Sequence, residues 1–205
     1  KPFSKFMLKA IEKIETLDID TICTGHGPIL RSDWKKQVEL SKKLATDYLN
    51  STSSEVPRIL IAYISAYGYT KEMAYKIKEG LDAAGSFKVD LIDIEHSMLG
   101  ELEEIATRND AFIIGSPTIN QNTLLPIYKF FSVINPIRDK GKMAAAFGSY
   151  GWSGEAVQLI ENHLKNLKLK IAMEGLAEKF HPHNGKSEKF FDFGKNFGET
   201  LQSKK

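Results

Sequence analysis

From residue 58 onward, short apolar runs alternate with segments in which apolar residues recur every three or four positions. The clearest run, residues 58–64, is typical of a strand that is buried on both faces of a sheet. Four further runs predict strands at residues 88–94, 111–115, 142–147 and 169–176. The intervening and following segments predict helices at residues 70–84, 99–107, 124–133, 154–167 and 187–202. This alternation predicts an α/β fold, with a five-stranded parallel sheet and helices on both of its faces.

The first 55 residues show a different pattern. Apolar residues at helical spacing predict an amphipathic helix near the start of the chain: Phe6, Leu8, Ile11, Ile14 and Leu17. Residues 20–24 predict a short strand, residues 25–28 a loop, and residues 33–49 a second helix. A single strand has no partner for its backbone groups, so we interpret this unit as the end of a larger domain. The polar residues 51–57 predict a linker to the second unit.

Charge and cysteine content narrow the function classes. The 205 residues carry 28 basic and 26 acidic side chains, and this balance gives no field that would attract nucleic acid or an anionic membrane. No apolar stretch reaches the roughly 18 residues that a membrane-spanning helix needs. The single cysteine, Cys23, excludes an internal disulfide and indicates a reducing, cytoplasmic location. The chain begins with Lys1, and we therefore expect it to be a piece of a longer protein.

Ligands of open parallel sheets bind beyond the carboxyl ends of the strands, so the loops after the first, third and fourth strands form the candidate site. The loop after the first strand leads directly into a helix, whose N-terminal N–H groups suit a phosphate monoester. Its glycine permits a tight turn, and no basic side chain lies within it. On this loop alone, a capped helix with nothing bound is the simpler interpretation. Its candidate ligand-binding residues are Ser65, Ala66, Tyr67, Gly68, Tyr69 and Thr70.

The loop after the third strand is rich in side chains that suit a polyol chain or the edge of a ring. By itself it is more typical of an ordinary polar loop, capped by Thr123. Its candidate residues are Ser116, Pro117, Thr118, Ile119 and Asn120.

The loop after the fourth strand places two aromatic residues among glycines and serines. Such aromatics suit stacking on a flat ligand, with Trp152 as the main stacking residue. The alternative is that Trp152 packs against the following helix. The candidate residues of this loop are Ser149, Tyr150, Gly151, Trp152, Ser153 and Gly154. Together, the three loops predict a site for a mononucleotide with a flat, hydrophobic ring.

These residues resemble a known family. Residues 65–70 resemble the FMN phosphate loop of flavodoxins, and residues 116–118 and 149–152 resemble the other two FMN loops of the flavodiiron proteins, or A-type flavoproteins. The segment Thr24-Gly25-His26-Gly27-Pro28 resembles the one that carries the last iron-ligand histidine of their metallo-β-lactamase-like domain.

The resemblance spans the whole chain and implies its domain organisation. Residues 1–55 are similar to the end of the diiron domain, and residues 56–205 to a complete flavodoxin-like domain with the sheet order 2-1-3-4-5. The family reduces dioxygen to water or nitric oxide to nitrous oxide at a diiron centre. FMN feeds that centre with electrons from rubredoxin or a related carrier, within a head-to-tail homodimer.

The chain departs from the family in its iron ligands. His26 is present, but the segment that supplies most of the other ligands is not. The resemblance therefore implies a chain that binds FMN and carries electrons, with His26 a metal ligand only in the complete protein. A flavodoxin-like NAD(P)H or quinone reductase and a stand-alone electron-carrier flavodoxin are the alternatives. A receiver-type signalling domain is disfavoured, because acidic residues are missing after the first and third strands.

Overall fold

The computed structural model describes residues 3–52, 55–181 and 187–203. The chain divides into two compact units, Lys1–Ser54 and Glu55–Lys205. In the part of the chain that is described, no helix combines the length and the apolar character needed to cross a membrane.

In residues 3–52, the described part of the first unit, there are two helices, α1 (Ser4–Ile14) and α2 (Trp34–Thr52). An ion pair of 2.6 Å joins Glu15, at the end of α1, to Lys42 of α2. The predicted strand at residues 20–24 was wrong: the structure has a single antiparallel bridge between Ile22 and Leu30. A two-residue bridge does not extend into a ladder unless further strands flank it. Helix α2 also runs past the predicted end at residue 49, so the predicted linker begins within its last turn.

The described residues of the second unit form the strands β1 (Arg58–Tyr63), β2 (Lys88–Asp93), β3 (Ala111–Gly115), β4 (Met143–Tyr150), β5 (Lys170–Ile171) and β6 (Leu176–Lys179). They build a parallel sheet in the order β2-β1-β3-β4-β5, which confirms the predicted fold class and strand order. Strand β6 also pairs with β4.

The prediction of one continuous fifth strand at residues 169–176 was wrong, because the structure has two separate strands there, β5 and β6. Strand β5 pairs with the start of β4 and β6 with its end, and the chain leaves the sheet between them. At this break, the Gly175 N–H donates to Glu161 Oε1 at 2.6 Å. A Cβ on Gly175 would lie 2.4 Å from Val157 Cγ1. The break is therefore fixed by close packing against the helix that carries Val157 and Glu161.

Within the residues that the structure describes, five helices cover the two faces of the sheet. Helices α3 (Tyr69–Ala84) and α7 (Glu188–Gln202) contribute to the core on one face. The other face is covered by α4 (Leu99–Arg108), α5 (Leu125–Phe131) and α6 (Glu155–Asn166). Alternate residues of each strand enter the two cores, so Ile59 faces α3 and α7 while Leu60 faces the other three helices. Burial on both faces explains the continuous apolar runs in the sequence.

Glycines allow α3 and α7 to approach each other backbone to backbone. A Cβ on Gly80 of α3 would lie 1.9 Å from the carbonyl oxygen of Phe191, and one on Gly194 of α7 would lie 2.0 Å from that of Ile77. Because both obstacles are backbone atoms, neither can move aside as a flexible side chain would. The two helices therefore have glycine at both points of contact.

A buried ionic cluster lies just before β4, at the end of the sheet opposite the candidate site. Asp139 is fully buried and accepts hydrogen bonds from Arg138 Nη2 at 2.7 Å and from the Asn135 N–H at 2.8 Å. Lys142 Nζ lies 2.9 Å away. Burial acts to raise the pKa of Asp139, but the hydrogen bond from Arg138 and the charge of Lys142 outweigh it and hold that pKa below its usual range.

Gly80→Ala is expected to lower the free energy of unfolding by about 1–3 kcal/mol, because overpacking against a backbone carbonyl outweighs the gain in helix propensity. Gly100→Ala in α4 is the matched control, since no atom lies within 4 Å of its added Cβ. That change is expected to be neutral or stabilising. Urea unfolding followed by circular dichroism measures both, and equal effects of the two substitutions would contradict the packing argument.

Asp139→Asn is expected to lower the free energy of unfolding by about 3–5 kcal/mol at neutral pH, because Lys142 then loses its buried counter-ion and the hydrogen bond from Arg138 loses its charged acceptor. The contribution of Asp139 is present above its unfolded-state pKa of about 3.9 and is lost as the pH falls through its lower folded-state pKa. The variant should therefore lose this part of the acid dependence. Asp82→Asn, which breaks the exposed pair with Lys78, should cost less than about 1 kcal/mol.

Candidate functional site

A pocket of about 270 Å³ opens at the carboxyl ends of β1, β3 and β4. It is lined by Tyr67, Tyr69, Pro117, Thr118, Ile119, Ser149, Tyr150, Gly151 and Phe180. The three predicted loops each contribute to this wall. This is the point where the strand order reverses around β1 and β3, and where ligands of open α/β sheets bind.

Ser149 joins the three loops. Its Oγ lies 2.9 Å from Thr70 Oγ1 in a buried hydrogen bond, which connects it to the loop after β1. Its carbonyl oxygen accepts the Thr118 N–H at 2.8 Å, which connects it to the loop after β3. Because Ser149 itself belongs to β4, these two bonds fix the relative positions of all three loops. The Thr70 hydroxyl therefore has a structural partner within the site.

The loop after β1 forms a tight turn into α3. Gly68 precedes the helix with φ +87°, a left-handed conformation in which a side chain is strained, although a Cβ there would meet no atom within 4 Å. The Ser65 Oγ accepts the Lys71 N–H at 3.2 Å, and the Gly68 carbonyl accepts the Glu72 N–H at 3.0 Å. The turn thus presents the N terminus of a 16-residue helix beside the pocket.

The loop after β3 contains a two-residue hairpin. Ile119 and Asn122 exchange two backbone hydrogen bonds of 3.1 Å across Asn120 and Gln121, which have φ +53° and +56°. Positive φ at both central residues is the geometry of a type I′ turn. Ile119 lines the pocket from the base of this hairpin, whereas Asn120 is exposed at its tip.

Two hydroxyls of this loop hold neighbouring helices. Ser116 is fully buried, and its Oγ accepts the Leu124 N–H at 3.2 Å, just before α5. The Thr118 Oγ1 accepts the Ala156 N–H at 3.2 Å, at the start of α6. These polar side chains therefore position the pocket wall.

The loop after β4 splits its aromatic residues between two positions. Tyr150 and Gly151 line the pocket, whereas Trp152 is 93% exposed and does not. Ser153 and Gly154 continue the chain into α6.

One pocket residue, Phe180, lies outside the three predicted loops. It follows β6, and its side chain forms part of the pocket wall. A sequence argument would have needed the correct end of the last strand, because residue 180 lies beside the others only when β6 is in register with the end of β4.

The pocket wall suits a flat apolar ring. Four of the nine lining residues are aromatic, and none of the nine carries a formal charge. A volume of about 270 Å³ lies just below the usual range for small-molecule sites, so the pocket has room for a flat ring, whereas the remainder of a nucleotide would have to extend along the loops. At the end of β1, burial raises the pKa of Tyr63 to about 12, so this phenol stays protonated.

A larger cavity of about 580 Å³ adjoins the turn at Gly68 between β1 and α3. It is more polar, and it is lined by Gly68, Lys71, Glu72, Tyr75, Lys76, His181 and Ser187. Its location beside the helix, away from the loops after β3 and β4, makes it a neighbour of the aromatic pocket and not a part of it.

The predicted metal ligand His26 lies in the first unit, where it is exposed within a bend. Among the described residues, no group of three or more histidine, cysteine or acidic side chains is arranged to hold a metal ion.

Comparison with known proteins identifies the class. The flavodoxin family matches residues 61–194, and the chain belongs to that family. The resemblance to flavodiiron proteins is also confirmed. The chain is 35% identical over 201 residues to the type A flavoprotein fprA of Rhodobacter capsulatus, covering 98% of this chain and 46% of the relative. It is also 35% identical over 201 residues to the flavo-diiron protein FprA2 of Clostridium acetobutylicum, covering 98% and 50%.

A solved structure supports the same fold. The rubredoxin oxygen:oxidoreductase of the anaerobe Desulfovibrio gigas superposes with a TM-score of 0.76 at 24% identity, over 99% of this chain and 50% of that one. The chain thus spans about half the length of the relatives that it matches.

Gly68→Ala is expected to lower the free energy of unfolding by about 1–2 kcal/mol, because a Cβ is strained at φ +87° even where space is available. Gly68→Asn should cost less, since asparagine tolerates left-handed backbone better than alanine. Chemical unfolding of both variants measures the difference. If the larger asparagine proves the more damaging, crowding and not backbone conformation governs this turn.

Proposed function

We propose that the chain binds FMN in the aromatic pocket and serves as the electron-transfer domain of a flavodiiron oxidoreductase. The observation that carries the proposal is the convergence of three loops on one uncharged aromatic pocket beside a helix N terminus. Similarity over 98% of the chain to proteins named flavodiiron protein or type A flavoprotein adds to it. The parent protein is proposed to reduce dioxygen to water or nitric oxide to nitrous oxide.

Each of the three loops would bind a different part of the cofactor. Residues 65–70 would hold the phosphate through backbone N–H groups and hydroxyls at the start of α3. Residues 116–120 would line the ribityl chain and the ring edge. Residues 149–154 would cover the ring, with Tyr150 in the wall and Trp152 at its margin. Bound FMN supplies the electron-carrying chemistry, and the protein sets its position and polarity.

The remaining assignments extend to the complete protein. Residues 1–55 would be the end of a metallo-β-lactamase-like domain, in which His26 becomes an iron ligand once the other ligands are present. Rubredoxin or a related carrier would supply electrons, and a head-to-tail homodimer would bring the FMN of one subunit to the iron pair of the other. The chain alone would carry electrons without reducing either gas, and we place the protein in the cytoplasm.

The absorption spectrum of the purified chain, with FMN and iron quantified together, tests this proposal. We expect flavin bands, one FMN per chain after reconstitution, and no stoichiometric iron. A chain that takes up no FMN would contradict the proposed function.

The electron donor separates the main proposal from the alternative of an NAD(P)H or quinone reductase. Reduced rubredoxin should reduce the reconstituted chain, whereas NADH and NADPH alone should not. Rapid reduction by a nicotinamide cofactor would favour the alternative.

Trp152→Ala is expected to weaken FMN binding by roughly two- to tenfold, which corresponds to the loss of a stacking contact of about 0.5–1.5 kcal/mol. Because Trp152 is 93% exposed, its removal should change the stability of the FMN-free chain by less than about 0.5 kcal/mol. Fluorescence titration with FMN measures the affinity, and Trp152→Phe is the control that retains a ring. If Trp152→Ala leaves both the affinity for FMN and the midpoint potential of the flavin unchanged, Trp152 is not part of the site.

A further inference from the structure

Phe180 lies at the carboxyl edge of the sheet, one residue beyond β6. Its N–H donates to the carbonyl oxygen of Tyr150 at 2.7 Å, which continues the β4–β6 pairing by one step. This bond places residue 180 directly beside the loop after β4. The segment that follows β6, residues 180–181, is therefore part of the pocket architecture, as the loops after β1, β3 and β4 are.

The backbone of Phe180 has an uncommon conformation. Its φ of +58° lies in the left-handed region, which is unfavourable for a bulky side chain. The ring is also 55% exposed, so burial in the core does not compensate for this strain. Strained backbone that the surrounding structure maintains is frequent at ligand sites. The conformation directs the ring to the pocket wall, where it is one of the nine lining residues.

Neighbouring contacts hold the segment in this position. A Cβ on Gly151 would lie 3.2 Å from Phe180 Cε1, so the glycine makes room for the phenyl ring. The next residue, His181, has its Nε2 2.5 Å from Glu72 Oε2 and its ring edge-on to Tyr69 at 5.3 Å. The segment after β6 is thus connected both to the loop after β4 and to the first turns of α3.

We propose that Phe180, which directly follows β6, contacts the flavin ring. Its apolar phenyl face closes one side of the pocket and so helps to hold the ring. The proposal rests on the proposed binding of FMN. It assigns to the segment after β6 a direct role in retaining the ring. Contact between the phenyl ring and bound flavin then explains both the strained backbone and the exposure of Phe180, because the ligand supplies the packing partner of the ring.

Phe180→Ala and Phe180→Gly in the full 205-residue chain test this proposal by fluorescence titration with FMN. Both are expected to raise the dissociation constant about tenfold, because each removes the ring contact. Phe180→Gly should also leave the FMN-free chain at least as stable as the unsubstituted one, since glycine adopts φ +58° without strain. Weaker binding in a chain of undiminished stability separates a ligand contact from a folding role.

Phe3→Ala is the matched control, because Phe3 is 54% exposed, as Phe180 is at 55%, and is not among the nine residues that line the pocket. Its FMN affinity should equal that of the unsubstituted chain. Unchanged affinity in both Phe180 variants, while the unsubstituted chain binds FMN, would overturn this proposal alone. An unsubstituted chain that binds no FMN would overturn the proposed function and this proposal together.

Discussion

The candidate site depends on the two hydrogen bonds of Ser149. Its hydroxyl bonds to Thr70 and its carbonyl accepts the Thr118 N–H, so one residue of β4 fixes the loops that follow β1 and β3. The sheet order makes this possible, because β1, β3 and β4 are neighbours whose carboxyl ends meet at one edge. Thr118 then transmits the constraint to α6 through the Ala156 N–H. The polar residues of these loops thus fix the positions of the loops, and the aromatic residues line the pocket between them.

The sequence was sufficient for the parts of the fold that are buried on both faces. Residues 58–64 and 111–115 are almost wholly apolar because helices cover both sides, and such runs allow no other placement in a sheet. The interruption between β5 and β6 could not be predicted in the same way. It depends on Gly175 reaching Glu161, a contact between residues that no local pattern relates.

That same error explains why Phe180 escaped prediction. A continuous strand ending at residue 176 leaves Phe180 well beyond the sheet, whereas the observed β6 continues to residue 179 and brings it to the pocket. The hairpin at Asn120 and Gln121 was not predicted for a different reason. Of its two central residues, only asparagine is typical of left-handed backbone, whereas glutamine is not. Sequence patterns therefore located the loops, but tertiary contacts decided which side chains of each loop enter the pocket.

The interrupted last strand also determines what this edge of the sheet offers to another chain. A sheet edge exposes unpaired backbone groups, and a long flat edge is a template on which another chain can add a strand. Here the edge beside β4 consists of a two-residue and a four-residue segment, separated by a stretch that turns away toward α6. An incoming strand would find no continuous row of donors and acceptors there. The break that directs Phe180 to the pocket thus also protects this edge of the sheet from intermolecular β-pairing.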